Sequence, residues 1–123
     1  MKFQDLFAYQ KSADLAMSIF EISRSFPKEE TYSLTSQIRR SSRSVSANIA
    51  EAYRKRVYPK HFASKLTDSD AENSEIQVWL EFSLKCNYIT EKQFNQLYQD
   101  SLEVGKLINY MIRNPKKFGV SLD

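Results

Sequence analysis

Four of the five arginines in residues 34–56 are the side chains of this sequence best suited to bind an anion. At about 100° per residue they fall within one arc of about 100° on a helix; they are Arg39, Arg40, Arg43 and Arg54. The opposite side is an apolar stripe made of Leu34, Ile38, Val45, Ile49 and Ala52. Small residues separate the arginines: Ser36, Ala47 and Ala50. Because a guanidinium fork matches phosphate and carboxylate geometry, the segment is predicted to be a bundle helix with an anion-binding face.

A second basic cluster follows at the junction of two predicted helices. It consists of Arg54, Lys55, Arg56, Lys60, His61 and Lys65. Residues 39–65 carry eight basic groups and one acidic group, whereas residues 1–38 and 66–123 carry net charges of −1 and −3. Positive charge is therefore local, which favours one surface facing a polyanion. Tyr53 and Tyr58 lie among these groups and are candidates for stacking on unpaired bases.

Two other interpretations of the charges stay open. The basic groups could form a solvated face. In an oligomer, Arg39, Arg40 or Arg43 could instead pair with acidic residues of a neighbouring subunit, namely Asp68, Asp70, Glu72 or Glu75. These acids are not expected to bind a metal, because a carboxylate site in a bundle uses Glu-x-x-His pairs and the chain has one histidine. No metal and no cofactor is expected.

Catalytic motifs are sparse. Arg56 and His61 resemble the Arg-x4-His signature of helical HEPN-type ribonucleases, but Pro59 falls inside the motif and should disturb its helical spacing. A weak ribonuclease is kept as an alternative, and the preferred prediction is a protein without enzymatic activity. Cys86 is expected to be an inert, buried thiol. A single cysteine, no signal peptide and no apolar run of about 18 residues favour a cytoplasmic protein without a membrane span.

Four helices are predicted, in a chain with only 2 Gly and 3 Pro. Their expected bounds are Asp5–Ser25, Ser33–Val57, Lys60–Cys86 and Thr90–Arg113. Ser33 is a plausible N-cap, and Thr90 with Gln93 makes a capping-box pattern. Short connections predict an all-α, antiparallel up-down-up-down four-helix bundle. This domain spans residues 1–113, and residues 114–123 form a tail expected to be loosely held.

The predicted core follows helical stripes. In the first helix the main stripe is Leu6, Tyr9, Ala13, Ala16, Met17 and Phe20, with a second stripe of Leu15, Ile19 and Ile22. In the third it is Phe62, Leu66, Ser69, Asn73, Ile76, Leu80 and Leu84, and in the fourth Phe94, Leu97, Tyr98, Ser101, Val104, Gly105, Ile108 and Ile112. Ser69 and Asn73 are expected to hydrogen-bond across the bundle, and Gly105 to permit close helix packing. Extra apolar faces on the first and third helices favour subunit contacts.

Several short segments resemble one bacterial protein family in order and spacing. They are residues 3–6, 9–11, 26–30, 32–40 and 48–51, of which Leu34–Arg40 and Asn48–Glu51 are the specific part. The chain resembles the four-helix-bundle proteins called 23S rRNA intervening-sequence proteins, or S23-type ribosomal proteins, from about Phe3 to Arg113. It is also similar to the basic accessory protein of diversity-generating retroelements.

The resemblance implies a cytoplasmic, cofactor-free bundle that assembles into a ring-like homopentamer and engages nucleic acid. It carries over Arg39 and Arg40 as a basic motif, with Gln37 and Asn48 as polar companions. The family commonly has glycine where this chain has Ala52, which favours a second helix that continues to Arg56. The preferred function is binding of nucleic acid, RNA before DNA, through the two basic clusters. The alternative is an oligomeric adaptor that docks a protein such as a reverse transcriptase.

Overall fold

The protein is described for residues 1–121 by a computed structural model, which contains four long helices. They are α1 (Phe7–Ser23), α2 (Leu34–Arg54), α3 (Pro59–Lys85) and α4 (Glu91–Arg113). Three short 3₁₀ helices flank them at Phe3–Asp5, Lys28–Glu30 and Pro115–Phe118. No strand occurs between residues 1 and 121. The predicted all-α class and the four-helix bundle are confirmed.

Each helix packs against its neighbour in sequence, and α1 closes the bundle by packing against α4. The most extensive interface joins α2 and α3. Because the connections are short, successive helices run in opposite directions, which is the predicted up-down-up-down arrangement. One end of the bundle therefore collects the start of α1, the α2–α3 turn and the end of α4. The other end collects the α1–α2 and α3–α4 connections.

The core is built largely from the predicted stripes of α2, α3 and α4. All five apolar residues of the α2 stripe are buried, as are the first six residues of the α3 stripe. In α4 the buried positions are Leu97, Ser101, Val104, Ile108 and Met111. These residues fill one continuous apolar cluster, which positions α2 so that its arginines face away from the core.

The predicted main stripe of α1 is wrong except for Leu6, which is buried just before the helix begins. The buried residues of this helix are Ala8, Ser12, Leu15, Ile19 and Ser23, so the stripe treated as secondary supplies the core, whereas Met17 is exposed. Two of the buried positions are serines, so the apolar periodicity of the core face is interrupted. A helical serine can be buried once its hydroxyl bonds to a carbonyl of the preceding turn. Ser12 Oγ donates to the Tyr9 carbonyl at 2.9 Å, and Ser23 Oγ donates to that of Phe20 at 3.1 Å.

A buried polar layer joins α3 to its neighbours, as predicted. Ser69 Oγ donates to the Val45 carbonyl at 2.8 Å. Asn73 Nδ2 donates to the Ser101 carbonyl at 2.9 Å, and Ser101 Oγ donates back to Asn73 Oδ1 at 2.9 Å. A Cβ on Gly105 would lie 3.3 Å from Asn73 Nδ2, so glycine allows the close approach of α3 and α4. The layer fixes the register of the helices, since a slip would leave buried polar groups without partners.

The helix ends differ from the predictions in small ways. The Thr90–Gln93 capping box is confirmed, with Thr90 Oγ1 accepting from the Gln93 amide at 3.1 Å. Ser33 occupies the N-cap position of α2, but its hydroxyl makes no capping bond; the first amide of the helix, that of Leu34, donates to Glu30 Oε1 at 3.3 Å. Helix α2 passes through Ala52 and ends at Arg54, two residues before the predicted Arg56. Pro59 occupies the first turn of α3, where its missing N–H costs nothing.

The expectation of a loosely held tail is wrong for residues 115–120. Val120 is buried and Phe118 packs against the core, while the Phe118 and Tyr110 rings meet edge to face at 6.1 Å. Gly119 adopts φ +85°, a left-handed conformation that glycine takes without steric cost. The turn folds the chain back onto the bundle. Residues 122 and 123 of the predicted tail lie outside the described part.

Candidate nucleic-acid interface

One end of the bundle, called here the basic end, brings together residues 1–5, 51–65 and 109–121. Tyr53 Oη donates to the Met1 carbonyl at 3.4 Å, and a Cβ on Gly119 would lie 3.2 Å from Arg56 Nη1. These segments hold nine lysines and arginines against two acids, Asp5 and Glu51. The basic residues are Lys2, Arg54, Lys55, Arg56, Lys60, Lys65, Arg113, Lys116 and Lys117.

Both acids of the basic end are already engaged. Glu51 pairs with Lys65 at 2.9 Å, and a hydrogen bond to this carboxylate raises the pKa of Lys65. Asp5 accepts the backbone N–H of Lys2 at 2.9 Å. Among residues 1–121, no ion pair neutralises Arg54, Lys55 or Lys60, and all three are exposed. The end therefore carries an excess of positive charge that the residues from 1 to 121 do not compensate.

Two contacts with Tyr53 fix the position of Arg56 at this end. Its Nε donates to the Tyr53 carbonyl at 2.7 Å, and its guanidinium carbon lies 3.7 Å from the centre of the Tyr53 ring. Stacking on an aromatic face fixes the plane of the guanidinium by cation–π attraction. With Nε engaged, the terminal nitrogens remain to donate to an anion. Gly119 lies next to Nη1, so the C-terminal turn helps to shape this site.

The two tyrosines predicted to stack on bases differ in their exposure to solvent. Tyr53 is buried under Arg56, so the prediction that it stacks on a base is wrong. Tyr58 is 59% exposed, and its ring lies 5.5 Å from that of the exposed His61. Tyr58 and His61 thus form a small aromatic platform beside Lys60, at the start of α3.

Arg40, on the side of α2, is occupied within its own chain. Nη1 lies 2.8 Å from Glu72 Oε2, and Nη2 lies 2.6 Å from Glu75 Oε1. The hydrogen bond to Glu72 is the main cause of the raised pKa of Arg40. The sequence leaves open a pairing of these arginines with the acids of a neighbouring subunit. For Arg40 the pairing is intramolecular, because the α2–α3 interface places the i,i+3 carboxylates of α3 opposite it.

Arg39 and Arg43 have different surroundings, centred on the ring of Phe20. Their guanidinium carbons lie 4.7 and 5.8 Å from its centroid, and that of Arg24 lies at 6.0 Å. Arg39 Nε donates to the buried Ser23 Oγ at 2.8 Å. The one carboxylate that reaches this group is Glu21, 3.6 Å from Arg24; within the described chain, none pairs with Arg39 or Arg43.

The described residues do not assemble a recognisable catalytic or metal site. Arg56 lies in the turn after α2 and is bound to Tyr53, whereas His61 lies on α3, so they do not share the helix that a HEPN-type pair needs. In residues 1–121 no three His, Cys, Asp or Glu side chains group closely enough to hold a metal ion. Cys86 is exposed, so the expectation of a buried thiol is wrong: it follows the last turn of α3, on the side away from the core.

Sequence reasoning missed four basic residues of this end: Lys2, Arg113, Lys116 and Lys117. Each is far in sequence from the α2–α3 junction and sits in a segment of ordinary composition. The bundle topology supplies the only signal, because an up-down-up-down chain returns its first and last segments to the end that holds the α2–α3 turn.

The fold places the chain among the helical-bundle proteins, and comparison with known proteins identifies its family. The match to the family of 23S rRNA-intervening sequence proteins covers residues 4–110, and the chain belongs to this family. A crystal structure of a protein of unknown function from the S23 ribosomal protein family of Bacteroides thetaiotaomicron VPI-5482 is similar, with 31% identity and a TM-score of 0.79. That match covers 92% of this chain and 99% of the other. No curated protein matches the chain.

In the described part of the chain, no helix has both the length and the apolar character needed to cross a lipid bilayer.

Proposed function

We propose that the protein is a non-enzymatic RNA-binding bundle whose basic end contacts the phosphate backbone. The observation that carries the proposal is the excess of unpaired basic side chains at that end, contributed by segments distant in sequence. Each phosphate that they neutralise releases counterions, which favours binding at moderate salt. The exposed Tyr58 adds a ring on which an unpaired base can stack. RNA is the first probe because the family description refers to 23S rRNA.

Self-association is part of this proposal, with the pentamer implied by the family resemblance as the expected form. The bundle leaves large apolar side chains on its outer faces: Phe7 75%, Met17 59%, Val78 44% and Phe82 49% exposed. Burying such groups between subunits is favourable by about 25 cal/mol per Å² of apolar area. Several copies in one ring would bring several basic ends to one RNA and raise the avidity. Light scattering of the purified chain measures the number of subunits directly.

The test is an RNA-binding titration across a salt series. A structured RNA is titrated with the wild-type protein, and log affinity is plotted against log salt. We expect a negative slope equivalent to several phosphate contacts. The double variant Lys55→Glu/Lys60→Glu should bind at least tenfold more weakly and show a flatter slope by about 2, one for each lost contact.

The matched control is Lys28→Glu/Lys92→Glu, which makes the same change in net charge at the opposite end of the bundle. Both of these lysines are exposed, so the control should keep wild-type affinity and slope. Light scattering on all three proteins separates loss of binding from loss of assembly. Wild-type protein without salt-sensitive RNA binding contradicts the proposal and leaves docking of an acidic protein as the function of the basic end.

A further inference from the structure

Two arginines of this protein share one unusual arrangement. Arg39 and Arg56 each donate Nε to a fixed oxygen of the protein, at 2.8 Å and 2.7 Å. Each also lies over an aromatic ring, at 4.7 Å and 3.7 Å from the centroid. The ring and the Nε hydrogen bond fix the plane of the guanidinium. Within residues 1–121 no ion pair occupies the Nη groups of these two arginines, so they can donate to an anion. An arginine fixed in advance loses less conformational entropy when it binds an anion.

Arg56 belongs to the basic end, but Arg39 lies on the side of the bundle, where Arg43 joins it on the Phe20 ring. Two like charges four residues apart on a helix destabilise it slightly. Nothing in residues 1–121 compensates this pair in the way that Glu72 and Glu75 compensate the adjacent Arg40. A phosphate between Arg39 and Arg43 would supply the missing negative charge and accept charge-assisted hydrogen bonds.

The α2 helix places this side cluster in line with the basic end. At about 100° per residue, Arg39, Arg43 and Arg54 fall within about 60° of one another around α2. Arg39 and Arg54 are 15 residues apart, which is about 22 Å along the helix axis. The surface between them carries the short side chains of Ala47 and Ala50, so an extended ligand can lie close to the helix.

We propose that Arg39 and Arg43 form a second phosphate-binding site and that one RNA strand runs along α2 from the basic end to this site. The inference rests on the proposed function and specifies its ligand. With one phosphate per about 3.4 Å of a strand in a duplex, a path of about 22 Å needs about seven nucleotides. An RNA shorter than this cannot contact the basic end and the second site at the same time.

A length series tests the path. Fluorescent oligouridylates of 3 and 12 nucleotides are titrated with wild-type protein and with Arg43→Gln. The substitution should weaken binding of the 12-mer about tenfold, the equivalent of one charge-assisted contact, and should flatten its salt slope by about 1. Binding of the 3-mer, which cannot span the two sites and is drawn mainly to the larger charge of the basic end, should change far less.

The matched control is Arg40→Gln, an equal loss of charge one residue from Arg39. Because Arg40 is engaged by Glu72 and Glu75, this variant should bind both oligonucleotides like the wild type. Equal losses in the Arg40 and Arg43 variants would overturn the inference, since general charge would then explain them. An Arg43→Gln protein with unchanged 12-mer affinity also overturns it, while the loss caused by Lys55→Glu/Lys60→Glu would leave the proposed function standing. If the wild type binds neither RNA, the proposed function fails as well.

Discussion

The two ends of the bundle contain the same number of residues but carry very different net charges. The basic end, residues 1–5, 51–65 and 109–121, has nine lysines and arginines against two acids. The far end, residues 21–37 and 81–96, has four basic and five acidic residues. At the far end polar groups serve the fold: Tyr88 Oη donates to Glu30 Oε2 at 2.9 Å, and Thr90 and Gln93 cap α4.

This difference in net charge distinguishes charged groups that stabilise the fold from charged groups that are available to bind a ligand. Repulsion among like charges destabilises the folded chain, and the basic end has too few acids to offset it. Its charge is therefore not explained by stability. The far end provides an internal reference, because helices of the same bundle end there with nearly balanced charge. Experiments that change one end and leave the other intact test this distinction directly.

The largest expected effect is a loss of unfolding free energy when a core residue is truncated. This loss should be equal near the two ends of the bundle, because both ends share one core. Ile49 lies five residues before the end of α2 at the basic end, and Leu80 lies five before the end of α3 at the far end; both are fully buried. Replacing either with alanine removes buried methyl groups and leaves a cavity, so each variant should lose about 2–5 kcal/mol of unfolding free energy. Urea unfolding monitored by circular dichroism measures both. A loss under about 1 kcal/mol for only one of them would mean that the ends are not packed alike.

The Gly119→Ala substitution, at the basic end, should cause a smaller loss of stability and weaker RNA binding. Alanine at φ +85° is strained by about 1–2 kcal/mol, and its Cβ would lie 3.2 Å from Arg56 Nη1. The variant should be destabilised by up to that amount and should bind RNA more weakly, since Arg56 must shift. Thermal unfolding and RNA titration check the two parts. Gly119→Asn, which tolerates the left-handed conformation better, should lose less stability; an equal loss would argue against strain as the cause.

Arg40→Gln should affect stability alone. Arg40 is half exposed, so solvent screens its two ion pairs and the expected loss is about 0.5–1 kcal/mol. Glu75 keeps a hydrogen bond from Trp79 Nε1 at 3.0 Å, which limits the cost of leaving its carboxylate unpaired. Urea unfolding compared with Arg43→Gln measures the effect. If the Arg43 variant is the less stable of the two, Arg43 and not Arg40 is the structural arginine.

The smallest effect expected is a pH dependence at the far end. The hydrogen bond from Tyr88 to the Glu30 carboxylate raises the pKa of Tyr88 to about 12 from an ordinary value of 10.0. The folded state therefore holds this proton more tightly, and its stabilising effect is complete below pH 10 and is lost as the pH rises towards 12. Unfolding free energies of wild type and Tyr88→Phe should differ at pH 8 and converge between pH 10 and 12. A constant difference would show that Tyr88 does not titrate in that range.

Much of the fold follows from sequence because its pattern is local. The predicted stripe of α2 is buried in full, that of α3 except at Leu84, and that of α4 at four of its eight positions. The Thr90–Gln93 box and the Ser69 and Asn73 bonds form as expected. The core stripe of α1 is predicted wrongly because Ser12 and Ser23 are polar and are therefore expected at the surface. Only the structure shows that their hydroxyls bond to backbone carbonyls and can be buried. The packing of the C-terminal turn is missed because only Phe118 and Val120 contact the core there, and two residues around a glycine leave no periodic signal.

The candidate site could be predicted only in part. The basic residues of 39–65 are visible as a run, but their state depends on neighbours from other helices. Arg40 is neutralised by α3, and Arg39 is held by Ser23 and Phe20 of α1. These contacts depend on helix packing, which places side chains about 16–35 residues apart within 3 Å of each other. Neither composition nor periodicity contains that information.

The exposure of Cys86 has a practical consequence. It is the only cysteine in the chain, and it follows the last residue of a 27-residue helix whose first turn carries Lys60 at the basic end. A helix of that length spans about 40 Å. A thiol-reactive fluorophore therefore attaches at one defined point, far from the basic end. Energy transfer from that dye to one placed on either terminus of an oligonucleotide would report how close each terminus comes, and so the direction in which a strand is bound.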